Sequence, residues 1–244
     1  MLFSLPALAE QAQTKDIGIT LQLDYLSQWL SKGVPAYGKQ GALFKSIDLD
    51  FWQSGFGLLV IHRNATAAGY VDKDRVDYHP YAKGQLFEET PYLMTYNLSA
   101  EYKNYYRVAR NKAKTDWEWN LAINWPNLLP KGFTPGYTAI YEYPAGRGYK
   151  YNYITGWVHK FILNYDFNIP EFPAPLRLSS EVAYTDGLGG ANHAWSYATF
   201  GLSSTFKLNK NMTFIPGIFQ QVSMEDTVCD RDVTYCILSM KYKF

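Results

Sequence analysis

Charged residues recur at every second position along several stretches of the sequence, and apolar residues occupy the positions between them. In a β-strand, alternate residues share one face of the sheet. This alternation places the following charged residues on one predicted inner face: Asp24, Asp48, Asp77, Glu101, Lys103, Glu118, Glu142, Lys160, Asp166, Arg177 and Glu181. Charges of both signs on the inner face of a closed sheet would line an aqueous pore. Alternatively, they pair with one another and fill the interior.

Two arrangements in the sequence would favour catalysis. Glu118 and Glu142 fall on neighbouring predicted strands, where paired carboxyl groups can act as acid and base. His159 falls on the apolar, lipid-facing side, where a serine partner would be needed for lipid hydrolysis. No spacing singles out a nucleophile. We therefore predict no enzyme activity and no catalytic residue, although a lipid-modifying enzyme remains an alternative.

The two cysteines lie seven positions apart, Cys229 in a polar stretch and Cys236 in the last apolar alternation. In an exported protein this spacing allows a disulfide that would tie the last loop to the wall. Two free thiols are the alternative. No histidine lies near the pair in sequence, so we predict neither a metal site nor a cofactor.

The elements that carry these residues have the two-residue period of β-strands. One clear example covers 116–125, where Trp117, Trp119 and Trp125 share a face opposite Glu118 and Asn120. We predict about twelve strands, near 17–31, 41–52, 56–65, 74–86, 93–106, 116–127, 135–144, 156–168, 175–186, 195–208, 211–223 and 233–244. In the first of these, Trp29 falls on the apolar face. Unpaired strand edges are costly in hydrocarbon, so the sheet must close.

The connections between the predicted strands alternate in length. Long polar connections follow odd-numbered strands, and several short turns follow even-numbered strands, such as 53–55 and 209–210. This pattern is typical of outer-membrane barrels with periplasmic termini. We expect loops 66–73 and 145–155 to constrict or gate the interior, and the tyrosines at 149, 151 and 153 could stack on a sugar-like solute.

Composition agrees with a membrane barrel. Aromatic residues make up 17% of the 244 residues, as expected for the aromatic girdles of such a barrel. No apolar run reaches the length of a membrane helix, and the net charge of +1 gives no reason to expect nucleic acid as a partner. Residues 1–9 resemble the end of a signal peptide, so we assign 10–244 to a single barrel domain.

Four blocks resemble a group of uncharacterised bacterial outer-membrane proteins, the TorF-like porins. They are WPNLLP at 125–130, GWVHKFILNYD at 156–166, HAWSYATFG at 193–201 and QVSMED at 221–226. The resemblance extends over 17–244 and consists of strand texture rather than catalytic motifs. The resemblance implies a barrel whose porin role is assigned by analogy. It implies no active-site residues in this chain.

The sequence therefore predicts an all-β protein, a single antiparallel up-and-down transmembrane β-barrel in the outer membrane of a Gram-negative bacterium. We expect passive diffusion of small hydrophilic solutes or ions. A closed structural or adhesion barrel without conductance is the alternative. The expected partners are outer-membrane lipid, lipopolysaccharide and the barrel-assembly machinery, the last through the terminal strand that ends in Phe244.

Overall fold

The computed structural model describes residues 16–70, 73–108, 116–145 and 155–244. Twelve long strands form one antiparallel sheet that closes on itself, since the first strand pairs with both the second and the last. The strands are β1 (Gly18–Leu26), β2 (Ala42–Asp50), β3 (Phe56–Ala65), β4 (Arg75–Leu86), β5 (Met94–Asn104), β6 (Asp116–Asn124), β7 (Phe133–Pro144), β8 (Gly156–Phe167), β9 (Leu176–Asp186), β10 (Ala194–Ser204), β11 (Met212–Ser223) and β12 (Val233–Lys243). The predicted barrel and its strand number are confirmed.

Two predicted strands are too long. The first was expected to continue to residue 31, but β1 ends at Leu26 and the chain leaves the wall. The tenth was expected to reach residue 208, but β10 ends at Ser204, and Phe206–Lys207 forms a separate short pairing with β11. In both cases the apolar alternation continues past the point where the backbone turns away. Alternation alone does not mark that point.

The outer face of the wall is apolar and exposed. Leu23, Trp119, Phe161 and Phe200 are each about half exposed although none has a polar side chain. The inner face carries the buried charged side chains, among them Asp77, Glu101 and Lys103. Apolar residues outside and polar residues inside are the arrangement required of a barrel embedded in a bilayer.

The two ends of the barrel differ. At one end the chain termini come together, where the amide of Phe244 donates to the carbonyl of Ile19 at 3.0 Å. The connections at this end are short, such as the turn between β2 and β3. We call the opposite end the loop end. The longest connection there joins β1 to β2, and it positions the candidate site.

No helix within the described residues is long and apolar enough to cross a membrane. The predicted signal-peptide end, residues 1–9, lies outside the described residues.

Candidate functional site

The connection 27–41 between β1 and β2 folds into the barrel, and we call it the inner loop. Its centre is a tight hairpin in which Leu30 pairs with Pro35 and Ser31 with Val34. Lys32 and Gly33 form the turn with φ angles of 52° and 86°. Two consecutive positive φ angles define a type I′ turn, which glycine at the second position makes accessible. The turn projects Lys32 as the tip of the loop.

Aromatic packing anchors the base of the inner loop. Trp29 is 6% exposed and contacts Tyr37 and Phe44 with ring centroids 5.0 and 5.1 Å away. The guanidinium groups of Arg63 and Arg75 lie over the Trp29 ring at 5.2 and 5.1 Å. Burial raises the pKa of Tyr37 above its ordinary range. Trp29 was predicted to face lipid, and that prediction is wrong because the chain turns inward after Leu26.

The tip of the inner loop is held by an ion-pair square. The Lys32 ammonium contacts Glu118 Oε2 at 2.7 Å and Glu142 Oε2 at 2.6 Å. From the wall, Lys103 contacts the same two carboxylates at 2.8 and 2.9 Å. Glu118 and Glu142 lie directly opposite each other on β6 and β7, so two negative charges are adjacent. Two lysines compensate for this repulsion, and one of them comes from the loop.

The far side of the barrel also holds the tip. Gln221 Nε2 on β11 donates to the Gly33 carbonyl at 2.9 Å. A Cβ atom at Gly33 would collide with the Tyr197 ring on β10. The inner loop therefore spans the interior, from the arginines on β3 and β4 to β6, β7, β10 and β11.

The two arginines under Trp29 share a second buried cluster. Arg63 Nε lies 2.6 Å and Arg75 Nε 2.9 Å from the carboxylate of Asp77, which is fully buried. Glu101 lies 3.5 Å from Arg75 and 3.9 Å from Arg63. Asp77, Glu101 and His79 bring ligand atoms within 4.8 Å of one another. Two guanidinium groups already neutralise Asp77 and would repel a cation, so we assign no metal there.

The inner loop divides the interior into two cavities. The cavity on the terminal side has a volume of about 210 Å³ and is lined by Leu30 and Gly33 of the loop and by Lys160, Glu181 and Tyr235 of the wall. Lys160 and Glu181 are paired at 3.0 Å. The cavity on the loop side has a volume of about 380 Å³ and extends from Lys32 to Val228. The cavity on the terminal side has the more polar lining, which fits a solvated cavity.

All eleven predicted pore-lining residues lie on the inner face by strand register, but they do not form one continuous line. Five of them belong to the buried clusters, namely Asp77, Glu101, Lys103, Glu118 and Glu142. The others lie apart. Asp24 accepts from Gln22 at 2.8 Å, Asp48 accepts from Tyr81 at 2.9 Å, and Asp166 pairs with Arg177 in a half-exposed bridge.

Sequence reasoning missed the residues that bridge these carboxylates. Lys32 falls in the predicted polar connection after the first strand, and Arg63 follows a stretch, 57–61, that is apolar on both faces and so does not indicate an inward side. Gly33 was the available signal for a turn at this point of the chain. Loop 66–73 contributes Tyr70, whose ring packs 5.9 Å from Tyr37, so it supports the inner loop from outside. Most of loop 145–155, with its three tyrosines, lies outside the described residues.

The cysteines and His159 form no reactive pair. Cys229 and Cys236 are both free, so the disulfide that the sequence allows is not formed in the structure. Cys229 Sγ lies 3.2 Å from the Arg231 carbonyl, and Cys236 has the outward register of Leu238. His159 also faces outward, and its Nδ1 is hydrogen-bonded to the Tyr137 hydroxyl at 2.7 Å.

The barrel is similar to solved channel structures. It matches the KdgM porin with a TM-score of 0.55 at 12% identity over 92% of this chain and 99% of that one. It matches the NanC porin with a TM-score of 0.55 at 10% identity over 93% and 100%. An outer-membrane channel from Pseudomonas putida F1 gives 0.53 at 9% identity over 96% and 98%. No family model and no curated protein sequence matches the chain. At such low identity these matches show the fold alone: the chain has the barrel architecture of the KdgM and NanC porins.

Proposed function

We propose that this protein is an outer-membrane channel of the TorF-like kind, with periplasmic termini, through which small hydrophilic solutes or ions diffuse. The observation that carries the proposal is a closed barrel whose polar interior is narrowed by one inward-folded loop. The proteins of similar fold are described as porins or as an outer-membrane channel. A barrel of about this size has an interior between one filled by side chains and the wide aqueous lumen of larger porins.

The inner loop sets the constriction in this proposal. It contacts opposite walls through Trp29, Lys32 and Gly33, so a solute has to pass beside it. The charges at its tip are balanced, with two lysines against two glutamates. A neutralised constriction selects by size more than by charge.

Removing the constriction is the first test. We expect refolded wild-type protein to give small conductance steps in planar bilayers, and a variant with residues 28–40 replaced by a short Gly-Ser turn to conduct several times more. The enlarged opening follows from losing a segment that spans the lumen. The matched control shortens the exposed turn 87–93 at the terminal end, which should leave conductance unchanged.

The closed structural barrel predicts a different result. It is supported by the ion pairs that fill part of the interior. If neither the wild type nor the shortened variant conducts while both migrate as folded, heat-modifiable barrels, the channel proposal is wrong and the closed barrel stands.

Charge reversal at the square tests whether its carboxylates face the solute path. The sequence predicts that Glu118→Lys combined with Glu142→Lys shifts the preference toward anions. In the structure this change would place four ammonium groups together, because Lys32 and Lys103 already occupy the site. We expect reversal potentials to move toward anions and conductance to rise as the loop is repelled. An unchanged reversal potential would show that solutes pass elsewhere.

A further inference from the structure

The lipid-facing wall carries an unusual pair of polar residues, Lys45 on β2 and His62 on β3. They lie directly opposite each other in the sheet and share the outward register of Leu23. A lysine on the lipid face is strongly unfavourable at the bilayer centre and much less so near the interface. Such a residue is tolerated where its ammonium reaches the interface.

Both side chains point toward the loop end. Lys45 Nζ donates to Asn64 Oδ1 at 3.3 Å, and Asn64 lies one step nearer the loop end on the outward face. His62 Nε2 is hydrogen-bonded at 2.8 Å to the hydroxyl of Tyr106, which follows the end of β5. The guanidinium of Arg107 lies 5.6 Å from the centroid of the Tyr106 ring. The polar groups therefore form a cluster at the interface above the apolar wall.

The cluster has a cationic excess. Within the described ranges Lys45 is hydrogen-bonded only to the neutral Asn64, and the carboxylate nearest Arg107 is that of Asp74 at 3.8 Å. The Asp74 side chain is 10% exposed and that of Arg107 is 49% exposed, so the guanidinium remains open to the headgroup region. Two accessible cations beside a histidine and a phenol suit an anionic oxygen-rich group, above all a phosphate.

An apolar groove lies directly below this cluster. It has a volume of about 500 Å³ and is lined by Leu21, Leu23, Ile47, Val60, Met240 and Tyr242, with Lys45 and His62 at its edge. Leu21, Ile47 and Val60 form the row one step further from the loop end than Leu23, Lys45 and His62. A molecule with a phosphate above and an acyl chain below would meet matching chemistry at both levels.

We propose that this surface binds lipopolysaccharide through a phosphate of its lipid A, with one acyl chain in the groove. The choice of this lipid rests on the proposed function, since it requires the loop end to lie in the outer leaflet. Each cation near the headgroup contributes about 1 kcal/mol, which corresponds to about a fivefold change in affinity. Binding should weaken with salt because the contact is ionic.

Native mass spectrometry of the refolded full chain in detergent tests the site directly. Lipid A is titrated against wild type, Lys45→Gln, Arg107→Gln and the double variant. We expect about a fivefold loss of affinity for each single change and about 25-fold for both. The control for a polar substitution elsewhere on the lipid face, outside the proposed site, is His159→Gln. His159 also faces lipid and bonds a tyrosine, and it lies three residues from the loop end of its strand, as His62 does. It should bind lipid A as the wild type does.

Two further lipids decide the identity of the ligand. Lipid A stripped of phosphate should bind no better to the wild type than lipid A binds to the double variant. The proposed site would be overturned if the wild type bound the stripped form as tightly as intact lipid A. It would also be overturned if the double variant bound intact lipid A as tightly as the wild type does. Phosphatidylglycerol binding as tightly, with the same dependence on Lys45, would overturn the lipid A assignment. These readouts need no conductance, so the site and the channel can fail separately.

Discussion

Replacing Lys32 by glutamate should undock the inner loop and open the barrel interior. The change would place three carboxylates around the single ammonium of Lys103, since Glu118 and Glu142 lie within 2.9 Å of the two lysines. Loss of one partner from a buried ion pair costs about 3–5 kcal/mol. At the lower end of this range the docked loop becomes about a hundredfold less populated. Single-channel conductance in planar bilayers should rise to that of the loop-shortened variant.

Lys39 provides the matched control for Lys32. It belongs to the same loop and carries the same charge, but it is exposed. Lys39→Glu should leave conductance as in the wild type. Gly33→Ala tests the docking without a change of charge, because a methyl group there would collide with Tyr197 and the residue would have to keep a φ of 86°. If Lys32→Glu and Gly33→Ala both conduct as the wild type does, the inner loop is not the constriction.

The wall of the barrel was predictable because the polarity of each residue there indicates whether it faces lipid or the interior. In β8, lipid-facing Phe161 and Leu163 alternate with inward Lys160 and Asn164. Hydrocarbon selects one set and polar surroundings select the other, so a period of two is written into the sequence. Most strand limits agree with the predicted ones to within a few residues for this reason.

The inner loop was not predictable from the same signal. Trp29 continues the apolar alternation of β1, but it packs against arginines inside the barrel instead of lipid outside. An indole ring packs favourably both against lipid and against side chains inside a barrel. Its inward position depends on contacts with Arg63 and Arg75, which are distant from Trp29 in sequence. Lys32 likewise bonds Glu118 from 86 positions away, and Gly33 bonds Gln221 from 188 positions away.

The sequence placed Glu118 and Glu142 on the inner face, and the structure places them there by register. Alternation does not show whether these carboxylates are paired with cations. A carboxylate that lines water and a carboxylate that bonds two lysines have the same sequence pattern. The distinction matters for selectivity, since a neutralised pair attracts few cations. Only the positions of Lys32 and Lys103 decide it.

Asp77→Asn should be the most destabilising single change in the barrel wall. Asp77 is fully buried between Arg63 and Arg75, and the amide would leave two guanidinium groups with only Glu101 at 3.5 and 3.9 Å. We expect the free energy of unfolding to fall by about 3–5 kcal/mol, as for loss of one partner of a buried pair. Urea titration of the barrel in lipid vesicles measures the change.

Asp166→Asn is the control that shows whether the loss of stability depends on burial of the ion pair or on its hydrogen-bond geometry. Asp166 accepts two hydrogen bonds from Arg177 at 2.6 and 2.7 Å, so its geometry is at least as good as that at Asp77. Its side chain is 41% exposed and that of Arg177 is 52% exposed. Water can replace the lost partner, so the expected cost is about 0–1 kcal/mol. Equal losses in the two variants would mean that the interior around Asp77 is as wet as the rim. The arginines would then face an open water-filled lumen instead of anchoring the inner loop in a buried cluster.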